Sequence, residues 1–350
     1  MSIAYVGCRT SKERNARGKG LSVYHVDNAS GEWTLTQLLE DVVDPTFLCL
    51  DREQRFLYTV HGDGTTTSSF AICGADGFLK PLNTVNIAGK NPVSLIVDKE
   101  NRYLYVASLQ GGAVAACRRM EDGSLSDVEH LVRLEGTSEV GLSHAHQCYF
   151  DPSWEYLFVP TQRRGEGFSG VFVFRPLPDG SLARTQRFLT REIDESRHLV
   201  VHSNNRYVYI LNEKSSTVTF CVFDREKGQM EARQIASTLP ETYTGENQAG
   251  EILVSPDGKW LYTSNRTHDS IAHFSIDANT GFVRLLSCTP SLGGMPRFMT
   301  FTPDSEALVV ANETTDTLRV FHLDSASGIP MFADRTISTK SPVCVVWKTN

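Results

Sequence analysis

Short segments in which apolar and polar residues alternate recur along the whole chain. Residues 21–26 and 170–174 are typical, and both are rich in β-branched and aromatic side chains. Such alternation favours β-strands over helices. Long windows with a helical period are missing from the sequence, so we predict an all-β protein built from short strands.

Two sequence markers repeat about every 50 residues and predict the architecture. The first is a basic or aromatic residue followed by Leu-Tyr or a near equivalent, and its copies end at Tyr5, Tyr58, Tyr105, Phe158, Tyr209, Tyr262 and Val309. The second is a glycine-centred turn at Gly31, Gly77, Gly123, Gly180, Gly228, Gly281 and Gly328. Asp-Gly between apolar runs is a strong hairpin signal. Seven units of about four strands predict a seven-bladed β-propeller with four-stranded antiparallel blades.

The two ends of the chain predict how the ring closes. The first strand of a unit begins near a proline-like position, at Pro45, Pro92, Ala145, Ser196, Ala249 and Pro296. A seventh such segment, residues 341–347, stands alone at the C-terminus, whereas the N-terminus begins with a unit's second strand. We therefore expect the C-terminal strand to complete the N-terminal blade, leaving no open sheet edge, and residues 1–350 to form a single domain.

Composition narrows the class of protein. The chain of 350 residues is 40% hydrophobic, yet its apolar runs fall short of the roughly 18 residues that a membrane span needs. The net charge of -7 argues against a nucleic-acid partner. The eight cysteines form no C-x-x-C pair, which favours unpaired thiols in a reducing compartment. With no signal-like N-terminal segment, we expect a cytoplasmic protein.

The start of a blade's first strand and the end of its second strand share one face of the ring, which is where a ligand site is expected. Candidates at the first-strand entrances are His144, His146, Arg197, His198, Glu251 and Arg297. Candidates at the second-strand exits are Arg163, Arg164, Glu213, Arg266, His268, Asp269 and Glu313. Arginine recognises carboxylate or phosphate through its planar donors, while histidine and glutamate carry acid–base chemistry. The pattern predicts a site for a small anionic ligand.

Structural roles are the alternative for several of these residues. Either His144 or His146 could simply hydrogen-bond a neighbouring blade, and Arg266 with Asp269 could form a salt-linked loop. The two histidines could also form a metal pair, but the remaining ligands of such a site are missing from the spacing, so we expect no metal. The sequence contains no nucleophile elbow or phosphate-cradling glycine loop, which leaves covalent catalysis without support.

Several motifs resemble those of a known family. They are Ser-Pro-Asp-Gly-Lys-Trp-Leu-Tyr-Thr-Ser-Asn-Arg at residues 255–266, His-Asp-Ser-Ile at 268–271, Asn-Glu at 212–213 and Met-Pro-Arg at 295–297. The chain resembles the seven-bladed lactonase family, which includes bacterial propeller-type 6-phosphogluconolactonases and fungal carboxy-muconate cyclases. The resemblance implies active-site roles for His144 or His146, Arg197, Glu213 and Arg266.

The resemblance and the residues together favour a lactonase that hydrolyses a sugar-acid lactone without metal or other cofactor. Arg197 and Arg266, with Arg297, would bind the anionic group and stabilise the oxyanion, while His146 or Glu213 would activate water. His198, Glu251, His268 and Arg297 are the expected substrate-binding groups. The expected partner is a small anionic lactone or carboxylate. Two alternatives stay open, a cycloisomerase acting on a carboxylated muconate and a non-catalytic binding platform.

Overall fold

The computed structural model describes residues 1–349, and its strands alternate with short turns throughout. In chain order the strands are β1 (Ser2–Cys8), β2 (Leu21–Val26), β3 (Trp33–Leu39), β4 (Pro45–Leu50), β5 (Phe56–His61), β6 (Thr66–Cys73), β7 (Phe78–Asn86), β8 (Pro92–Val97), β9 (Tyr103–Ser108), β10 (Ala113–Arg119), β11 (Leu125–Arg133), β12 (His144–Ala145), β13 (Tyr149–Phe150), β14 (Leu157–Gln162), β15 (Gly170–Pro176), β16 (Leu182–Leu189), β17 (Ser196–Val201), β18 (Tyr207–Asn212), β19 (Thr217–Asp224), β20 (Gln229–Ser237), β21 (Ala249–Val254), β22 (Trp260–Asn265), β23 (Ser270–Ile276), β24 (Val283–Pro290), β25 (Pro296–Phe301), β26 (Ala307–Asn312), β27 (Thr317–Leu323), β28 (Pro330–Ser338) and β29 (Pro342–Lys348). Two short 3-10 turns lie at Lys12–Arg14 and Glu313–Thr315. No helix within residues 1–349 is long and apolar enough to cross a membrane.

Across residues 1–349 the strands form seven antiparallel sheets arranged as the blades of a propeller. Blade 1 contains β29, β1, β2 and β3; blade 2 contains β4–β7, blade 3 β8–β11, blade 4 β12–β16, blade 5 β17–β20, blade 6 β21–β24 and blade 7 β25–β28. The first strands β4, β8, β17, β21, β25 and β29 contact their neighbours around the central channel. The predicted fold is confirmed.

The ring closes where the C-terminal strand β29 pairs with β1. Tyr5 lies opposite Val346, and Val6 lies opposite Val345, in an antiparallel ladder. The C-terminus therefore supplies the innermost strand of blade 1 and the N-terminus supplies the other three, as the sequence predicts. The pairing occupies the edge of β1 that would otherwise be open to other chains.

The core lies between the blades. Each hydrophobic cluster combines apolar side chains from two neighbouring sheets, as where Tyr105 of blade 3 packs with Phe172 and Phe174 of blade 4. Similar clusters join blades 5 and 6, through Tyr209 and Phe274 among others. Burial between sheets drives their association around the ring.

The two repeating sequence markers meet at the blade junctions. The tyrosine that ends the first marker donates its buried hydroxyl to the carbonyl oxygen of the turn glycine in the next blade. Within the described residues these links join Tyr5 to Gly77, Tyr58 to Gly123, Tyr105 to Gly180, Tyr209 to Gly281 and Tyr262 to Gly328, over 2.7 to 3.1 Å. Every glycine of the second marker has φ between 65° and 86°, a conformation that glycine adopts at little cost.

The first strands carry an irregularity that shapes one face of the ring. The pairing with the second strand shifts by one residue at the start of β4, β8, β17 and β25, so the second residue bulges out of the ladder. Arg197 and Arg297 occupy this bulge in blades 5 and 7. In blade 4 the first strand is interrupted between Ala145 and Tyr149. Bulges redirect side chains and are common beside active sites.

We predict that removing one junction hydroxyl weakens the whole ring. Tyr209→Phe deletes the buried donor to Gly281, 2.8 Å away, and leaves that carbonyl oxygen without its partner. The free energy of unfolding should fall by about 1 kcal/mol or more, measured by chemical denaturation with the natural chain as reference. An unchanged unfolding midpoint would contradict a stabilising role for this link.

Candidate active site

A cavity of about 520 Å³ lies where first strands begin and second strands end. Its walls, taken over the described residues, include six arginines, namely Arg9, Arg14, Arg17, Arg164, Arg266 and Arg297, and two glutamates, Glu213 and Glu313. A protein with a net charge of -7 therefore concentrates positive charge at one mouth. Such a field attracts anions.

Glu213 bridges two arginines from neighbouring blades. Its Oε2 lies 3.2 Å from Arg197 Nε, and its Oε1 lies 3.1 Å from Arg266 Nη2. Gln162 Nε2 also donates to Oε2 over 3.0 Å. Arg197 comes from the bulge of β17, Glu213 directly follows β18 and Arg266 directly follows β22. We call Arg197, Glu213 and Arg266 the Glu213 triad.

Main-chain carbonyl groups fix the direction of both guanidinium groups. Arg266 donates from Nε and Nη2 to Ala249 O over 3.2 and 2.9 Å. Arg197 donates from Nη1 to Gly250 O. Both acceptors lie at the entrance of β21, where the pairing with β22 also shifts by one residue between Ala249 and Ile252. The bulged first strand of blade 6 therefore holds the arginines in place before any ligand arrives.

Burial and charge shift the protonation equilibria of the Glu213 triad. Burial raises the pKa of Glu213, but Arg266, Arg197 and Arg297 more than offset this and lower it from 4.5 to about 2. Burial, followed by the charges of Arg266 and Arg297, lowers the pKa of Arg197 to about 9. At neutral pH the glutamate is ionised and both arginines are charged, which leaves one positive charge in excess.

His146 faces the cavity from the gap between β12 and β13. Its Nδ1 is buried without a hydrogen-bond partner, and its ring contacts that of His198 edge-on with centroids 5.2 Å apart. Burial, with the charges of Arg197, His198, Arg297 and Arg164, holds its pKa well below 6.5. The imidazole is therefore neutral at physiological pH and can accept a proton.

His198 and Glu251 form a layer beneath the cavity rather than part of its wall. They are 2% and 5% exposed, and His198 Nδ1 lies 2.7 Å from Glu251 Oε1. With that nitrogen assigned as the donor, Nε2 accepts from Arg197 Nη1 over 3.3 Å. The pair positions Arg197, and the expectation that both residues contact substrate stays a prediction.

Two other predicted histidines, His144 and His268, do not line the cavity. His144 Nδ1 lies 2.9 Å from Leu109 O, so this ring bridges blade 4 to blade 3. It is also His144, not Ala145, that pairs with the end of the second strand in blade 4. His268 Nδ1 lies 2.7 Å from Ser270 Oγ, and its ring packs on Tyr243.

A second glutamate bridges two more arginines across the closing junction. Glu313 Oε1 lies 3.2 Å from Arg9 Nε, and its Oε2 lies 3.4 Å from Arg297 Nη1. Arg297 and Glu313 are predicted from the sequence, whereas Arg9 is not. The signal was present, because Arg9 directly follows β1, the second strand of blade 1, as Glu213 follows β18. We call Arg9, Glu313 and Arg297 the Glu313 triad.

The depressed pKa of Glu213 predicts a specific loss of stability in acid. The unfolded chain takes up this proton near pH 4.5 and the folded chain only near pH 2, so the carboxylate stabilises the fold fully above pH 4.5. That contribution, about 3 kcal/mol, disappears as the pH falls from 4.5 to 2. Glu213→Gln should therefore flatten the pH dependence of the free energy of unfolding in this range.

The matched control for this measurement is Glu155→Gln, which removes an exposed carboxylate 3.0 Å from Arg225. It should leave the acid slope unchanged, since exposed pairs contribute little. Parallel slopes for the natural chain and Glu213→Gln would show that Glu213 titrates normally.

Comparison with known proteins supports the geometry. A family model described as "Lactonase, 7-bladed beta-propeller" matches residues 3–347. The 6-phosphogluconolactonase of Bacillus subtilis is 27% identical, over 98% of this chain and 97% of that protein. A 6-phosphogluconolactonase of Formosa agariphila is 26% identical, over 85% and 86%. The solved structure of a periplasmic gluconolactonase from Pseudomonas aeruginosa superposes with a TM-score of 0.87 at 25% identity, over 99% of each chain.

The family model spans nearly the whole ring, including both triads and His146. The predicted family resemblance and the predicted lactonase class are thereby confirmed. The chain belongs to the seven-bladed β-propeller lactonase family.

Proposed function

We propose that the protein hydrolyses a sugar-acid lactone at the Glu213 triad with His146 as the base. The observation that supports this most is a neutral, buried imidazole and a carbonyl-anchored arginine, Arg266, at the wall of a cavity of about 520 Å³. A second carbonyl-anchored arginine, Arg197, lies behind that wall. The names of the relatives from Bacillus subtilis and Formosa agariphila make 6-phosphogluconolactone the first substrate to test.

The reaction needs a base, an acid and positive charge at the carbonyl oxygen. Water attacks the lactone carbonyl carbon while His146 accepts one of its protons, and the oxyanion that forms is stabilised by Arg197 and Arg266. When the ring C–O bond breaks, the imidazolium returns the proton to the leaving alkoxide. The product is the open hydroxy acid, and His146 ends the cycle neutral.

Glu213 suits a positioning role better than that of the base. Its pKa of about 2 makes it a weak proton acceptor, and both of its oxygens already contact guanidinium groups. Its carboxylate keeps two like-charged arginines close together, since without it their repulsion in a buried site would be uncompensated. His146 is the better base because its lone pair is free at neutral pH.

The pairing of glutamates with arginines at the cavity supports catalysis without a metal. Among residues 1–349, no three His, Cys, Asp or Glu side chains converge as a metal site would require. The two glutamates at the cavity contact arginines on both carboxylate oxygens. Arginine thus supplies the electrophilic stabilisation that a metal supplies in other hydrolases.

The unpaired cysteines favour a reducing compartment, and on that basis we propose that the protein is cytoplasmic. In the described part of the chain all eight are unpaired, and five of them, Cys8, Cys117, Cys148, Cys221 and Cys344, are buried. Buried thiols of this kind pack as small apolar side chains.

We predict that His146→Ala lowers kcat for lactone hydrolysis by about 100- to 10,000-fold, with a much smaller change in KM. The assay follows acid release from 6-phosphogluconolactone and a panel of sugar lactones, corrected for spontaneous hydrolysis. His322→Gln, an exposed histidine on β27, is the matched control and should keep full activity.

The pH profile tests the identity of the base separately. Because the pKa of His146 lies well below 6.5, kcat/KM should stay level from neutral pH through 6.5 and fall only in more acidic solution. Natural protein that accelerates no lactone would overturn the proposal. Loss of muconate diene absorbance without lactone hydrolysis would instead establish the cycloisomerase, and the absence of both activities would favour a binding platform.

A further inference from the structure

The Glu313 triad repeats the Glu213 triad position by position, two blades further round the ring. Arg297 occupies the first-strand bulge of blade 7 as Arg197 does in blade 5. Glu313 directly follows the second strand of blade 7, and Arg9 directly follows that of blade 1. Glu213 and Arg266 hold these two positions in blades 5 and 6. Residues from two copies of the same charged unit therefore line one cavity.

The second copy also carries an excess of positive charge. Arg9 and Arg297 share the single carboxylate of Glu313. A second carboxylate, Asp63, lies 3.5 Å from Arg9 but is held more tightly by Arg14, over 2.6 and 2.9 Å. The guanidinium groups of these three arginines thus face two carboxylates, those of Glu313 and Asp63. The net charge of this group of side chains is +1.

The two copies differ in what the preceding blade contributes. Blade 4 precedes the Glu213 triad and blade 6 precedes the Glu313 triad, and their first strands carry different residues. The first strand of blade 4 places His146 beside the Glu213 triad, two residues after His144, which pairs with the end of the second strand. The corresponding residue in blade 6, two after Ala249, is Glu251. Its side chain is buried against His198 and does not line the cavity. The Glu313 triad therefore has arginine donors but no base, which suits binding and not proton transfer.

We propose that the Glu313 triad is a subsite for a second anionic group of the substrate, a phosphate ester or carboxylate carried away from the lactone carbonyl. This inference rests on the proposed lactonase function and narrows its substrate class to lactones with a remote anion. The Glu213 triad then acts on the carbonyl and the Glu313 triad holds the other end of the molecule.

The properties of the two arginines fit an anion between them. Arg9 is 8% exposed and so is already held in place, while the Arg297 side chain is 21% exposed and reaches the cavity. Burial, and after it the charge of Arg297, lowers the pKa of Arg9 to about 10, and a bound anion would relieve the part that comes from repulsion between the two arginines. Planar guanidinium forks match phosphate and carboxylate oxygens.

Kinetics with three lactones test the subsite. The probes are 6-phosphoglucono-1,5-lactone, glucaro-1,4-lactone with a carboxylate, and neutral glucono-1,5-lactone. Arg9→Gln should lower kcat/KM for the phosphorylated lactone by about 30-fold, mainly through KM, and for the neutral lactone by several-fold less. An equal loss with the carboxylated lactone identifies a general anion subsite, and a loss with the phosphorylated lactone alone identifies a phosphate subsite.

Controls separate this outcome from unfolding. Arg225→Gln removes an exposed arginine paired with Glu155 and should not change the preference among lactones. Arg9→Lys keeps the charge and should recover part of the loss. Arg297→Gln, with a normal unfolding midpoint, should show the same selectivity. If Arg9→Gln and Arg297→Gln lower activity equally on all three lactones, or on none, the subsite is disproved.

Binding distinguishes failure of the subsite from failure of the proposed function. If the natural protein hydrolyses no lactone, calorimetric titration with 6-phosphogluconate and gluconate still measures how much the phosphate group contributes to binding affinity. Tighter binding of 6-phosphogluconate that is lost in Arg9→Gln would support the subsite by itself. Equal affinity for the two acids in the natural protein would overturn it.

Discussion

The site depends on closure of the ring by β29 on β1. That pairing brings the N-terminal blade against blade 7, so that Arg9, near one end of the chain, lies 3.2 Å from Glu313, near the other. Each blade alone is a small sheet with two apolar faces, and it becomes stable only when both neighbours cover it. Closure thus creates both the continuous core and the shared mouth into which residues from distant parts of the sequence project.

The arrangement of charge shows how a repeated fold supports a site that is costly to bury. Placing arginines and glutamates together out of water carries a large desolvation penalty, which good geometry and further hydrogen bonds must offset. Main-chain carbonyls of Ala249 and Gly250 supply those bonds because the first strand of blade 6 bulges where they lie. The guanidinium groups are therefore already oriented before substrate binds. Electrostatic stabilisation of a transition state is most effective under this condition.

The fold was predictable because its signals repeat. The tyrosine of one marker and the glycine of the other are the two ends of a hydrogen bond between blades, so both recur at the same period. The site was predictable in part. Glu213 and Arg266 follow from the blade geometry, since each comes directly after a second strand.

Other features of the site depend on details that the repeat does not encode. Arg9 was missed because its blade is assembled from both ends of the chain. His268 comes three residues after β22 ends, and there the turn has already directed its side chain toward Tyr243. His144, and not Ala145, pairs with Gln162 at the end of the second strand of blade 4. The spacing of the repeat alone does not distinguish these two registers.

The junction between blades 7 and 1 is built differently from its neighbours. Val309 stands where both neighbouring blades have the linking tyrosine, and the half-buried Arg335 instead donates an exposed hydrogen bond to Ser30 O. Water competes for an exposed hydrogen bond more effectively than for a buried one, so thermal opening of the ring should begin at this seam. The Arg9–Glu313 contact crosses the same junction, so a ligand bound there would hold blades 7 and 1 together. Amide exchange in β29 and β1 would then be slower in the bound protein. Ligand binding in the cavity would in this way stabilise the closed ring.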